Sequence, residues 1–180
     1  MALQGPLDCI EVHPEHVFRS VYNSPFESSP DFTEGWWSDV PYSYGSTGDI
    51  EFLSFRIAGV ELARAQILFN KLPGSDYGVP RLASEYVELS FLEVAARYQR
   101  QRLGIGTRAV QCVIDRYPSV GLLAYSEEAD GFWDSLGWRK FNHPRGMPGY
   151  RPLYVWFPKN YEEGRRPDRA HGGHGNHRPA

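Results

Sequence analysis

Gln101-Arg102-Leu103-Gly104-Ile105-Gly106-Thr107 decides how this chain is read. An apolar, strand-like run precedes it and an amphipathic, helix-like run follows. Two glycines, one residue apart, remove side chains where the strand turns into the helix. The first N–H groups of a helix have no intrahelical acceptor, and the helix dipole places positive charge on them. Such a turn suits an anion, above all a phosphate. A Gly-x-Gly taken alone is equally a glycine-eased loop without a ligand. The flanking residues favour the phosphate.

Upstream, Tyr86-Val-Glu-Leu-Ser-Phe-Leu-Glu-Val94 alternates and is rich in β-branched and aromatic residues, which predicts a strand. Downstream, Ile105, Ala109, Val113 and Tyr117, with Val110 and Ile114 beside them, form one apolar helix face. Pro118 ends that helix, because the residue before a proline disfavours the α region. A second pattern lies further on, Ser126-Glu-Glu-Ala129-Asp-Gly-Phe132-Trp133-Asp-Ser-Leu136-Gly137-Trp138. Ala129, Phe132, Trp133 and Leu136 share a helix face, and Gly137 suits its C-terminal cap.

Together these two stretches resemble the GCN5-related N-acetyltransferase superfamily. Gln101-x-x-Gly104-x-Gly106 fits the family's Gln/Arg-x-x-Gly-x-Gly/Ala signature. Residues 126–138 fit its Asn-x-x-Ala-x-x-Phe-Tyr-x-x-x-Gly-Phe element, in the right order and at about the right distance. The resemblance covers roughly residues 50–157, and residues 1–49 by position only. It implies an α/β (α+β) fold. The sheet would be mixed and mostly antiparallel, with about six or seven strands, about four flanking helices, and a splay between the family's fourth and fifth strands.

The resemblance also implies chemistry: transfer of an acetyl group from acetyl-coenzyme A to a primary amine, by direct attack in a ternary complex and without a metal. The backbone of Gln101, Arg102, Leu103, Gly104, Ile105, Gly106 and Thr107 would hold the coenzyme's pyrophosphate. Leu92 and Val94 match the strand end that pairs with the pantetheine arm, and Phe132 and Trp133 adjoin the coenzyme. In the preferred register, which puts about two extra residues between Val94 and Gly104, Glu88 falls where a family glutamate activates the amine. With the alternative register, Ser90 falls there. Glu93 is a further strand carboxylate.

Where many family members carry a tyrosine that protonates the leaving thiolate, this chain has Trp133. An indole has no usable acidity, so Trp133 packs against the cofactor or the core. Tyr125 or Ser126 could supply a hydroxyl instead. Ser126 also suits a cap for the helix that begins near Ala129. The acceptor would meet Trp36, Trp37, Tyr42 and His143, from the aromatic 23–49 segment and the 143–150 loop. Those 23–49 residues are too aromatic for a solvated linker, and read as a packed irregular segment, a lid, or both. The missing tyrosine leaves a second reading open: a coenzyme A-binding module with weak or no turnover.

The bulk properties set limits. At 180 residues one domain is the default, here 1–160, with a polar tail over 161–180. His171, His174 and His177 in that tail are read as solvated rather than as a metal site. The two cysteines, Cys9 and Cys112, are isolated and suggest neither a disulfide framework nor zinc. A net charge of −3 argues against a nucleic-acid partner, and no apolar run reaches spanning length. The N-terminus lacks the features of a signal peptide, so a cytoplasmic protein is expected. The expected partner is a small-molecule or peptide amine. Family members often pair, which leaves a homodimer as a candidate assembly. Along the rest of the chain, residues 7–13 predict a strand, 14–22 a short helix, 31–36 a helical turn, and 50–57 with 60–69 a hairpin. The hairpin's apolar phase slips near Leu62, which predicts a bulge.

Overall fold

The computed structural model describes residues 5–18, 21–38, 49–80, 86–146, 148–159 and 161. Tyr42 and the tail beyond Tyr161 lie outside them. Among the described residues, seven strands form one mixed sheet. They are β1 (Asp8–Val12), β4 (Ile50–Ile57), β5 (Val60–Lys71), β6 (Tyr86–Val94), β7 (Leu122–Tyr125), β8 (Arg139–Phe141) and β9 (Leu153–Trp156), in the spatial order β1-β4-β5-β6-β7-β9-β8. Every pairing is antiparallel except β6 with β7, which is parallel.

Residues 14–22 depart from the sequence expectation. Within them β2 (His16–Phe18) pairs antiparallel with β3 (Val21–Tyr22), where a helix was expected. The spacing of Val17, Phe18 and Val21 fits either period. The β-branched and aromatic content settles it for strand.

The β4–β5 hairpin turns at Ala58 and Gly59, both with positive φ (48° and 80°), the geometry of a tight two-residue hairpin turn. Phe55 pairs with Ala63 and Arg56 with Glu61, so Leu62 is the extra residue of a bulge, where the apolar phase slips. A second bulge lies on β6. Gln66 pairs with Phe91 and Ile67 with Leu89, leaving Ser90 unpaired.

The helices are α1 (Glu34–Ser38), α2 (Ala96–Gln99), α3 (Ile105–Arg116) and α4 (Asp130–Ser135). The α3 residues Ile105, Ala109, Val110 and Val113 are buried against Leu53, Phe55, Ala63, Ala65 and Ile67 of the central strands. Trp133 and Trp138 join the same core. Two smaller clusters form elsewhere. One gathers Phe26, Phe32, Trp37, Phe52 and Ala95; the other gathers Tyr86, Leu123, Leu153 and Val155. Gly137, at φ 71°, ends α4 in the left-handed conformation that favours glycine. Among the described residues no helix is long and apolar enough to cross a membrane.

Candidate functional site

β6 and β7 share only two register pairs, Val87 with Leu122 and Glu88 with Leu123. Beyond Glu88, β6 continues to Val94 without β7 beside it. A cleft of about 350 Å³ opens at this free end, lined by Thr33, Trp36, Leu92, Glu93, Val94, Gln99, Gly106 and Phe132. It thus brings together four residues expected to meet a coenzyme, Leu92, Val94, Gly106 and Phe132, and one expected to meet an acceptor, Trp36.

The two glycines of the turn do different work. Gly104 precedes α3 at φ 66°, with nothing within 4 Å of where a Cβ would stand, so its role is conformational. Gly106 has an ordinary φ, but a Cβ there would lie 3.1 Å from Phe132 Cε2 and 3.6 Å from Val94 Cγ2. Its missing side chain leaves room at the wall of the cleft. The first-turn amides of Ile105, Gly106 and Thr107 have no intrahelical acceptor. The Ile105 side chain is buried in the core, so only its backbone is available to a ligand. Arg102 also has positive φ (53°), and both Arg102 and Leu103 are exposed. Gln101 folds back instead: its Nε2 donates to Arg97 O (2.6 Å) and its N–H to Tyr98 O (3.2 Å), which ties the loop to α2. The α2 turn lies between Val94 and Gly104.

The opposite wall is α1. Thr33 donates to Glu93 Oε1 from both its N–H (2.9 Å) and its hydroxyl (2.8 Å), and Trp37 Nε1 donates to Glu93 Oε2 (2.5 Å). Glu93 is therefore a fastener rather than a base. Ala96 N–H donates to Asp31 O (2.8 Å), and Arg97 pairs with the Asp31 carboxylate. The two expected acceptor tryptophans part company. Trp36 stays 46 % exposed against Phe91, with ring centres 5.8 Å apart. Trp37 is buried, 5.0 Å from Phe26, and does not line the cleft.

Glu88 sits at the last pair before the splay. Burial holds its carboxyl above the usual range, partly offset by Lys71, and it has no hydrogen bond to the described residues. Tyr125 ends β7. Burial, and then the charge of Glu88, push its phenol up. The Tyr77 ring stands 5.7 Å from the Tyr125 ring.

Three other expected site residues are engaged elsewhere. Ser126 is 1 % exposed, and its hydroxyl donates to Asp130 Oδ1 (2.6 Å). It does not cap α4, whose N-cap, Ala129, has no side-chain cap bond. Trp133 packs in the core against Trp138 and Tyr154, leaving Phe132 as the aromatic of that pair at the cleft. His143 is buried in a structural cluster: it stacks on Tyr150 at 3.6 Å, its Nε2 lies 3.3 Å from Asp76 Oδ2, and its Nδ1 accepts from Arg145 N–H (3.2 Å). Thr33 and Gln99 line the cleft and were not anticipated, since neither belongs to a motif.

No family model matches the sequence, and no curated protein matches it. Solved structures do. A bacterial toxin is 13% identical over 82% of this chain and 89% of its own, with a TM-score of 0.51. AtaTR bound with AcCoA is 13% identical over 84% and 93%, also at 0.51. The Bacillus subtilis N-acetyltransferase YlbP in complex with coenzyme A is 18% identical over 59% and 67%, at 0.46. The chain has the GCN5-related N-acetyltransferase fold. At these identities the likeness is one of fold. In the numbering used here, the GCN5-related splay is the parting of β6 from β7, and the glycine turn opens α3 beside it.

Proposed function

We propose that this protein is an acyl-coenzyme A-dependent N-acyltransferase that moves an acetyl group to a primary amine. One observation carries the reading. Gly106, without a Cβ, forms part of a cleft between the free end of β6 and the first turn of α3. A groove bounded by a strand end open on its β7 side and by free helix amides suits a ligand with an amide-bearing arm and a pyrophosphate. The residues present fit that group. The amides of Ile105, Gly106 and Thr107 would take the pyrophosphate, and the backbone of Leu92 and Val94 would pair with the arm.

Bound acetyl-coenzyme A would supply an activated thioester. Glu88 would then remove a proton from the incoming amine, a task for which a carboxyl above its usual range is suited. Tyr125 is the hydroxyl beside it that retains a proton at neutral pH. Trp36 at the cleft, with Phe91 exposed beside it, would form an aromatic wall for an apolar or cationic amine.

The buried Trp133 supports a second reading, a coenzyme-binding module without turnover. Isothermal titration with acetyl-coenzyme A, on the wild type and on Gly106→Val, tests the first step. Binding is expected in the wild type, weakened at least about tenfold by a side chain that fills the cleft. No binding to the wild type would overturn both readings. Thiol release with a panel of amines separates them: release marks the transferase, and binding without release marks the module.

A further inference from the structure

We propose that Glu93 is a positioning residue that sets which acyl chains the cleft accepts; this rests on the acyl-donor reading above. Its carboxylate is 7 % exposed, yet no cation holds it among the described residues. Arg97, the basic residue nearest in sequence, pairs with Asp31 instead. Among the described residues its three donors come from one short segment: the amide and hydroxyl of Thr33 and the indole of Trp37. Trp37 is buried, whereas its neighbour Trp36 is turned out along the cleft. Glu93 thus hangs α1 on the strand end, and α1 presents Thr33 and Trp36 to the same space that Glu93 lines.

The facing wall cannot adjust in the same way. There Gly106, Phe132 and Val94 are close-packed, and a Cβ added at Gly106 would stand 3.1 Å from Phe132 Cε2. The width of the cleft is therefore set from the α1 side. Trp36 lines the cleft from the α1 side, held with its ring centre 5.8 Å from that of Phe91. It is placed to limit the length of an acyl chain there. Replacing the Glu93 carboxylate by an amide leaves only one acceptor oxygen for donors on two sides, and turns an N–H against one of them. The α1 wall then loses its fixed distance from β6, while the pyrophosphate turn at residues 104–107 is untouched.

The experiment compares the binding of coenzyme A, acetyl-coenzyme A and hexanoyl-coenzyme A to the full chain, as wild type and as Glu93→Gln. The wild type should prefer acetyl- over hexanoyl-coenzyme A by at least about tenfold, the scale on which a pocket discriminates added methylenes. In Glu93→Gln that ratio should fall within about threefold, with coenzyme A itself changed less than about threefold. Trp36→Ala should relax the ratio in the same way with Glu93 intact. If Glu93→Gln does not fold, Thr33→Val removes one of its donors at an exposed position and should shift the ratio in the same direction. An unchanged ratio, an equal loss for all three ligands, or a wild type that does not discriminate would overturn the proposal while leaving the coenzyme reading in place. A wild type that binds none of the three would take both down.

Discussion

Glu88 and Glu93 stand on one strand and face the same side of it. Five residues apart, they would face opposite sides of a regular strand. The bulge at Ser90 cancels that, and the packing shows it: Val87 and Leu89, then Leu92 and Val94, contact the α3 core, while Phe91 and Glu93 turn to α1. The two carboxylates then diverge. Glu93 is closed off by three donors. Glu88 is mostly buried with no such bond among the described residues, and its carboxyl is held above the usual range. Burial alone does not decide what a carboxylate does. Donors aimed at it make a fastener; their lack leaves a carboxyl whose pKa burial raises.

The contrast can be broken experimentally. The largest expected effect is on turnover: Glu88→Gln should lower the rate of acyl transfer by about 10²- to 10⁴-fold, with acetyl-coenzyme A affinity retained. Equal activity in this variant would remove Glu88 from the proposed chemistry. Next comes the pair of tryptophans beside Glu93. Trp37→Ala should cost about 3–5 kcal/mol in denaturant unfolding, as a large buried aromatic does. Trp36→Ala should stay within about 0.5 kcal/mol. Glu93→Gln should cost about 1–3 kcal/mol, because it leaves a buried donor unsatisfied. Adding Trp37→Phe in that background should cost less than it does in the wild type, since the opposed donor is gone, a coupling that a double-mutant cycle measures.

The smallest effect is pH dependence. The Glu88 pKa is raised in the folded state, so the folded protein binds its proton more tightly than the unfolded chain does. Its contribution to stability is complete below the unfolded carboxylate pKa, about 4.3, and is lost as pH rises through the raised folded value. Wild type and Glu88→Gln should therefore differ least in melting temperature near pH 4, with the variant gaining relative to the wild type at pH 8.

Much of the frame was legible. The β4–β5 hairpin, its bulge at Leu62, the β6 span and the glycine-opened α3 follow from period, turn residues and a phase slip. The Ser90 bulge carried the same signal, since the apolar positions change phase between Phe91 and Leu92. Simple alternation over the same run would put Glu88 and Glu93 on opposite faces. The β2–β3 pairing was missed because a few residues satisfy both periods. The roles of Trp37 and His143 depend on partners distant in sequence: Glu93 and Asp76. No local pattern encodes such partners. Thr33 and Gln99 reach the cleft only because α1 and α2 fold against the end of β6.

The glycines also bear on thermal hardening of this protein. Replacing a helical glycine by alanine is a routine stabiliser, worth about 0.5–1 kcal/mol where the new methyl has room. Gly35 in α1 and Gly131 in α4 have that room, with nothing within 4 Å of an added Cβ. Gly106 does not, since the same methyl would press on Phe132. A consensus or library approach that treats the three alike would trade the cleft for stability at one position out of three.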